Sequence, residues 1–393
     1  MSATGTAAAA ATVAADPDPT TFTDPVSAAQ RAAFDEQGFV VLEQLVSPDF
    51  AAALCERLDE ILLGHFDVPG GEPDKMPKLS RDTRVKPGKA RPLGRARAPS
   101  KRTLQLINVW KADSLFRSFV LSPTLGRRVA ELAGWSCGAR VANDQVWAKP
   151  PGASALTFHR DSAYFDFEPP HVATVWLALD RMTEEVGPLQ YVGGSHRWED
   201  RRHGGTAEFF AGKRDHTWNV RSAWLAQQEQ QQQQQEQEQE QEQEQEQEQE
   251  QQARQGQQAA GAAPPPPPPP PAAAAVPMPP VTPVLVAAGG AGIHNGRLWH
   301  GSDQNSSATR PRRGLGIHFV PASARFREPQ GHTLAHKSRA LPPPAAGVPT
   351  GGGGAEGQGC PEARGAAPAA GGEQQDGCTL SPALFPITYS ANT

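Results

Sequence analysis

The stretch LTFHRDSAYFDFEPPHVATVWLALD, residues 156–180, places a His-x-Asp motif before a strand-like run. His159 and Asp161 are two residues apart, so in an extended chain their side chains project to the same side and can reach one metal ion. A polar turn in front of a strand would explain the same residues without a metal. A third ligand is therefore needed before the motif indicates a metal site.

The sequence around this stretch predicts a mainly β fold with flanking helices. Short strand-like segments, punctuated by Gly and Pro, follow one another over residues 139–322, the pattern of an antiparallel sandwich or barrel. Two helices are predicted upstream, one with Asp24 as its N-cap and Pro25 at its first position, the other starting at Ser47 and Pro48. Apolar residues at helical spacing in the second helix predict that it packs on the β segments.

Composition divides the chain into parts that can and cannot form a core. We expect a disordered leader over residues 1–22, one domain over 23–335 and a disordered Pro/Gly/Ala spacer over 336–377. The domain carries a low-complexity Gln/Glu and Pro insert, residues 226–280, which lacks an apolar stripe and is expected to be a solvated helix or coil ending in polyproline II. Residues 378–393 are expected to pack back on the domain.

The charge pattern limits the kinds of partner. Residues 227–280 contain nine Glu and one Arg, so the rest of the chain carries 36 basic and 33 acidic residues and does not indicate nucleic-acid binding. The basic stretch 78–102 is either a solvated loop or a surface that recruits an anionic substrate.

Other features favour a monomeric cytoplasmic protein. The four cysteines lack the spacing of a disulfide framework or a zinc site. The N-terminus lacks the basic residues of an import signal, and no apolar run reaches membrane-spanning length.

The downstream stretch GIHNGRLWHGSDQNSSATRPRRGLGIHF, residues 292–319, supplies candidates for the third ligand. His300 ends an apolar-edged strand, while His294, six residues earlier, is an alternative that spacing alone leaves open. Non-haem Fe(II) oxygenases use two His and one carboxylate and leave three coordination positions open. The cluster of Arg310, Arg312 and Arg313 then offers planar guanidinium groups that suit a carboxylate ligand.

Several ordered motifs together resemble the phytanoyl-CoA dioxygenase family of Fe(II)/2-oxoglutarate-dependent oxygenases. They are FHRDSAYFDFEPPHVATVWLALDRMTEEVGPLQYVGGSH, LWHGSDQNSSATRPRRGLGIHFVPA, and the upstream segments AAFDEQGFVVLEQLVSPD, LQLINVW and DQVWAKPPG. The resemblance covers most of residues 30–330 apart from the insert. His300 lies 141 residues after His159, and about 55 of these belong to the insert.

The resemblance implies a double-stranded β-helix, a jelly-roll or cupin-like barrel with the metal at one mouth. It implies that His159, Asp161 and His300 bind Fe(II), and that the reaction uses 2-oxoglutarate and O2 to hydroxylate a small organic substrate, releasing succinate and CO2. Arg312 would bind the distal carboxylate of 2-oxoglutarate, with Ser302 also in contact with the co-substrate. Trp176 is the third residue that matches a co-substrate contact in relatives.

Some positions depart from the family pattern or have simpler explanations. The segment between His300 and Arg312 is one residue longer than in a relative, so Arg310 and Arg313 remain alternatives to Arg312. A lysine that contacts the co-substrate in some relatives falls on Gln105 here. The sequence HGS at residues 300–302 favours His300 over His294 as the ligand, and His318 is expected to be a strand histidine with a hydrogen-bonding partner.

Two alternatives to an oxygenase remain. A catalytically silent barrel could act as an interaction module through its low-complexity tracts, although intact ligands argue against decay. A metal-dependent cupin-type isomerase or hydrolase would need no arginine for 2-oxoglutarate. Asp161 favours hydroxylation, because related halogenases replace this carboxylate with a small residue.

Overall fold

A computed structural model of the chain describes residues 25–77, 101–198, 215–256, 277–326 and 387–389. The expectations for the leader, for basic residues 78–100, for the Pro tract and for the Pro/Gly/Ala spacer concern residues outside these ranges. In the part of the chain that is described, no helix is both long and apolar enough to cross a membrane.

Helices lie mainly at the N-terminal side of the described chain. They are α1 (Ala28–Gln37), α2 (Pro48–Leu63), α3 (Ser114–Val120), α4 (Pro123–Ala133) and α5 (Trp218–Gly256). The predicted start of α1 at Pro25 is wrong, because Ser27 is the N-cap and forms a capping box with Gln30. The start of α2 is confirmed, since the Ser47 side chain accepts a hydrogen bond from the Phe50 amide.

The strands form two main antiparallel sheets. They are β1 (Phe39–Leu42), β2 (Leu104–Ile107), β3 (Ala139–Lys149), β4 (Leu156–His159), β5 (Phe167–Glu168), β6 (Ala173–Ala178), β7 (Leu189–Val192), β8 (Val281–Pro283), β9 (Ala291–Asn295), β10 (His300–Ser302), β11 (Arg312–Pro321), β12 (Arg325–Phe326) and β13 (Ile387–Tyr389). The larger sheet has the order β1-β9-β6-β11-β3-β13, with β2 also paired to β3, and the smaller has the order β4-β10-β7-β8. The predicted double-stranded β-helix, mainly β with flanking helices, is confirmed.

Alternation along β11 assigns its residues to two faces of the larger sheet. Leu315, Ile317 and Phe319 belong to the main hydrophobic core, which also contains Leu54 of α2 and Val129 of α4. The helices therefore cover the outer face of this sheet. The residues between these positions face the smaller sheet across the barrel interior.

The barrel interior contains separate apolar clusters and a group of polar side chains. One apolar cluster contains Trp176, Leu189 and Tyr191. Another contains Phe167 and Val320. Polar side chains of the two sheets meet between and beside these clusters, and they form the site described below.

Helix α5 contains the Gln/Glu tract and begins against the smaller sheet. The Phe158 amide donates to the His216 carbonyl, 2.9 Å, and Asn219 Nδ2 donates to the Phe158 carbonyl, 3.3 Å. Trp198 and Trp224 pack with ring centroids 5.2 Å apart. Beyond this contact, side chains 231–249 are all exposed, as expected for a helix without an apolar stripe.

Candidate metal centre

Three buried side chains bring metal-binding atoms together inside the barrel. One ligand atom each from His159, Asp161 and His300 lies within 4.8 Å of the others. The two histidines are paired across antiparallel strands β4 and β10, and Asp161 follows β4 directly. Asp161 Oδ1 lies 3.8 Å from His159 Nε2 and 3.5 Å from His300 Nε2.

Both histidine rings are held in the same way. His159 Nδ1 lies 2.9 Å from the Thr157 carbonyl, and His300 Nδ1 lies 2.9 Å from the Leu298 carbonyl. A carbonyl only accepts, so Nδ1 donates in each case and Nε2 keeps its lone pair. This arrangement fixes the tautomer that a metal-binding imidazole requires.

The extended chain expected for the His-x-Asp motif reaches Arg160 and brings both side chains to one site, but it does not continue past Asp161. β4 ends at His159, and Asp161 begins a 3₁₀ turn that ends at Tyr164, so the His-x-Asp motif is not one continuous strand. The turn brings the carboxylate to the histidines from the end of the strand.

The second oxygen of Asp161 is held by two donors. Thr174 Oγ1 donates to Oδ2, 2.6 Å, and His294 Nε2 lies 3.1 Å from the same oxygen. Tyr191 Oη lies 3.0 Å from His294 Nδ1. With His294 neutral, Tyr191 donates to Nδ1 and the Nε2 proton goes to the carboxylate. Oδ1 is thereby left toward the metal site.

The pKa values of the buried side chains bear on metal binding. Burial acts to lower the pKa of His300, but the nearby Asp161 carboxylate raises it above its usual value, so a metal would compete with a proton for His300 at low pH. Burial and the neighbouring His300 lower the pKa of His159 to about 3 and that of His294 to about 4. Burial acts to raise the pKa of Asp161, but the nearby His300, His318 and His294 bring it well below its usual value. Two imidazole nitrogens and one ionised carboxylate are a donor set suited to a non-haem ferrous ion.

A chain of hydrogen bonds continues from Asp161 across the sheet. Thr174 Oγ1 lies 2.9 Å from His318 Nδ1, and His318 Nε2 lies 3.3 Å from Gln145 Nε2. Gln105 Nε2 in turn donates to Gln145 Oε1, 2.8 Å. Because Thr174 gives its proton to Asp161, it accepts from His318, and every bond in the chain can point toward the carboxylate.

Arg312 lies in the barrel interior and is fully buried. Its guanidinium carbon lies 5.4 Å from the centre of the Trp176 ring, and its Nε donates to the Gly187 carbonyl, 3.1 Å. A Cβ at Gly314 would lie 2.5 Å from that ring, so the glycine leaves the space that Trp176 occupies. Burial lowers the pKa of Arg312 to about 10, which leaves it charged at neutral pH.

Ser302 and Lys149 lie in the same part of the interior. Both are fully buried, and Lys149 Nζ donates to Ser302 Oγ, 2.8 Å, and to the Asp303 carbonyl. Lys149 is directly opposite Arg312 in the pairing of β3 with β11. The predicted co-substrate residues Arg312, Ser302 and Trp176 are thus grouped with a lysine that sequence reasoning did not consider.

The two alternative arginines lie elsewhere. Arg310 Nη2 lies 3.0 Å from Thr183 Oγ1 and pairs with Glu185 at the surface. Arg313 faces outward and bonds Asp180 through both Nε, 3.0 Å, and Nη2, 2.8 Å. Both arginines therefore already hold protein carboxylates.

Sequence reasoning missed four residues of the interior network: Lys149, Thr174, Tyr191 and Gln145. The signal for Lys149 was present, because Gln145, Trp147 and Lys149 alternate on one face of a predicted strand. Position 105, where relatives carry a lysine, holds Gln105 in contact with Gln145. His318 has the partner expected for it, and His294 contacts Asp161 without joining the three-residue cluster.

A double-stranded β-helix with two His and one Asp in its interior is the architecture of a non-haem iron oxygenase. The profile of the phytanoyl-CoA dioxygenase (PhyH) family matches residues 34–314. The chain belongs to the phytanoyl-CoA dioxygenase family, and it is an enzyme of the Fe(II)/2-oxoglutarate-dependent class.

Solved structures of the same fold include two proteins of nogalamycin biosynthesis. The non-heme α-ketoglutarate-dependent carbocyclase SnoK is 20% identical over 82% of this chain and 94% of its own, with a TM-score of 0.50. The epimerase SnoN, in complex with Fe3+, α-ketoglutarate and nogalamycin RO, is 16% identical over 92% of this chain and 97% of its own, with a TM-score of 0.52. At these identities the likeness concerns the fold. A search of curated proteins found no match.

Proposed function

We propose that this chain is a dioxygenase that hydroxylates a small organic substrate and converts 2-oxoglutarate to succinate and CO2. The observation that carries the proposal is the set of three ligand atoms, two imidazole nitrogens and one carboxylate oxygen, within 4.8 Å of one another in the barrel interior. In the proposed roles, His159, Asp161 and His300 bind Fe(II).

Arg312, Ser302 and Trp176 are the proposed co-substrate residues. Arg312 is buried, charged and free of a carboxylate partner among the described residues, and its planar group can hold two oxygens of one carboxylate. The Trp176 ring lies along the guanidinium and limits the positions it can adopt. Ser302 supplies a hydroxyl beside these groups.

The protein residues orient the reactants and exclude competing reactions, while bound iron with O2 and 2-oxoglutarate supplies the oxidising power. Thr174 and His294 hold Oδ2 of Asp161, which leaves Oδ1 for the metal and three coordination positions open. The carboxylate at position 161 occupies the place that related halogenases leave for halide, and this favours hydroxylation.

The same residues could also serve a different oxidative outcome. The similar structures are named a carbocyclase and an epimerase, and those reactions differ from hydroxylation in the change of substrate mass. The catalytically silent barrel is the second candidate from another class. The intact, hydrogen-bonded ligand set argues against it, because a site without function does not need its tautomers fixed.

The proposal is tested by following succinate. We expect the purified protein with Fe(II), 2-oxoglutarate and O2 to form succinate faster when its substrate is present in a metabolite extract. Mass spectrometry of the extract then separates a gain of 16 (hydroxylation) from a loss of 2 (ring closure) and no change (epimerisation). Absence of succinate in wild type, or the same rate in Asp161→Ala, would contradict the proposal.

We also propose that residues 23–335 form the catalytic domain and that the protein is a monomer with the insert 226–280 outside the catalytic site. The exposed side chains over 231–249 support the last point. Deletion of residues 231–249 is expected to leave succinate formation unchanged, and light scattering is expected to give the monomer mass. An anionic substrate would fit the basic stretch 78–102.

A further inference from the structure

Lys149 is a buried cation that has no role in the proposed reaction as described so far by its iron and co-substrate residues. It ends β3 with its side chain in the barrel interior, where Nζ donates to Ser302 Oγ, 2.8 Å, and to the Asp303 carbonyl. Both acceptors are neutral. Burying an ammonium group without an opposite charge is costly, so its presence needs an explanation.

A second buried cation, Arg312, makes the burial of the Lys149 ammonium group more costly. Arg312 is directly opposite Lys149 in the strand pairing and is also buried. Among the described residues, neither side chain forms an ion pair with a carboxylate, although the Asp303 side chain lies close enough to act on Lys149 electrostatically. Burial, together with repulsion from Arg312, holds the pKa of Lys149 well below its usual value. An anion bound between the two cations would supply the missing charge.

The donors that remain unused suit a carboxylate. An ammonium group has three N–H donors, and Lys149 uses two of them on Ser302 and Asp303. Because Ser302 accepts from Lys149, its own proton remains available to a ligand. Arg312 uses Nε on the Gly187 carbonyl, which leaves its Nη groups. Lysine, serine and arginine donors thus converge on one volume of the interior.

We propose that Lys149 and Arg312 bind the distal carboxylate of 2-oxoglutarate together, so that the co-substrate site contains two cations, with the hydroxyl of Ser302 as a third donor. The inference rests on the proposed function, in which 2-oxoglutarate is the co-substrate. It adds a binding residue on β3 to those on β6, β10 and β11.

A purely structural role for Lys149 makes a different prediction. By bonding Ser302 and Asp303, Lys149 also joins β3 to the end of β10, the strand that starts with the iron ligand His300. If this were its only role, substitution of Lys149 would weaken the binding of every ligand at the site. If it binds the distal carboxylate, its loss weakens only ligands that have one.

The test compares two keto acids in calorimetric titrations of Mn(II)-loaded protein. 2-Oxoglutarate has the distal carboxylate, and 2-oxobutyrate has the same keto-acid group without it. We expect Lys149→Met to weaken 2-oxoglutarate binding by about 10- to 100-fold, the loss typical of a charge-assisted hydrogen bond, and to change 2-oxobutyrate binding by less than about 2-fold. Lys111→Met, which removes a cation paired with Asp74, is the control and should change neither.

Equal weakening of both keto acids, or no weakening of either, would overturn the inference. If Lys149→Met does not fold, Ser302→Ala must show a smaller loss confined to 2-oxoglutarate, and an unselective loss would likewise overturn it. Failure of wild type to bind either keto acid would instead overturn the proposed function, and the inference with it.

Discussion

Two neighbouring arginines on opposite faces of strand β11 differ in whether a carboxylate pairs with them. Arg313, on the outer face, bonds Asp180 through two nitrogens. Arg312, on the inner face, is more deeply buried, yet among the described residues no carboxylate pairs with it. Burial of an unpaired charge lowers stability, whereas pairing with a carboxylate offsets the cost of removing the charge from water. The inner face therefore carries a cost that a ligand can offset.

Two buried aspartates also differ in how far the protein itself satisfies their oxygens. Asp144 points to the outer side of β3 and accepts from the backbone amides of Val109 and Trp110, 3.0 and 3.2 Å. Asp161, in the interior, receives its donors on Oδ2 and keeps Oδ1 beside His159 and His300. In these two pairs, the outer group is satisfied by the protein itself, while the inner group keeps capacity for a metal or a ligand.

The largest expected effect is the loss of an inner carboxylate. Asp161→Ala removes one of the three proposed metal ligands, so Fe(II) affinity should fall by more than about 100-fold, beyond the loss typical of an outer-shell partner. The variant should still fold but should unfold at a lower temperature, because Thr174 Oγ1 and His294 Nε2 lose the oxygen to which they donate. Anaerobic metal titration checks the first expectation, and thermal unfolding of the metal-free protein checks the second. Unchanged metal affinity would remove Asp161 from the site.

The second largest expected effect is a loss of 2-oxoglutarate affinity on substitution of Arg312, which distinguishes Arg312 from Arg313. Arg312→Gln should weaken 2-oxoglutarate binding by about 30- to 1,000-fold, as expected when one partner of a desolvated charge pair is truncated. The free energy of unfolding should not fall, because the removed cation is unpaired in the free protein. Equilibrium titration and urea unfolding measure the two quantities. A stability loss without a binding loss would give Arg312 a structural role only.

A smaller effect is expected from a residue that acts through Asp161. Thr174→Val keeps the shape of the side chain but removes the donor to Oδ2, and should lower metal affinity by about 10- to 100-fold. Thr282→Val, on the exposed side of β8, is the matched control. Equal metal affinity in the two variants would show that Thr174 does not orient the carboxylate.

The smallest expected effect is the loss of stability when Arg313 on the outer face is substituted. Arg313→Gln removes the two guanidinium donors to Asp180 but keeps the backbone amide of residue 313, which also donates to Asp180 Oδ2. Because both side chains are partly exposed, we expect a loss of about 1 kcal/mol in the free energy of unfolding. Binding of 2-oxoglutarate should be unchanged. A loss of binding comparable to that of Arg312→Gln would contradict the assignment of faces.

Much of this comparison could be predicted from the sequence. Alternating strand segments and turn residues predicted the β body. The His-x-Asp motif supplied His159 and Asp161 as candidate ligands, and the resemblance to the family, through the HGS sequence, supplied His300. Pairing could not be predicted, since the register that sets His159 opposite His300 and Lys149 opposite Arg312 joins distant segments.

The extended chain expected for the His159-x-Asp161 motif continues through Arg160, and a 3₁₀ turn that starts at Asp161 follows it, a local detail that the sequence did not predict. The choice among three arginines stays a prediction. The sequence places them within four residues, and only the face each occupies distinguishes them.

We propose that inner-face groups from distant segments of the chain form one site for Fe(II) and 2-oxoglutarate. Anaerobic titration of the Fe(II)-loaded protein with 2-oxoglutarate tests it most directly, by the weak visible absorption band of the iron chelate. We expect a band of 1:1 stoichiometry in wild type and Arg313→Gln, a band that needs far more 2-oxoglutarate in Arg312→Gln, and no band in Asp161→Ala. A wild-type protein without the band, or an Asp161→Ala titration identical to wild type, would contradict it.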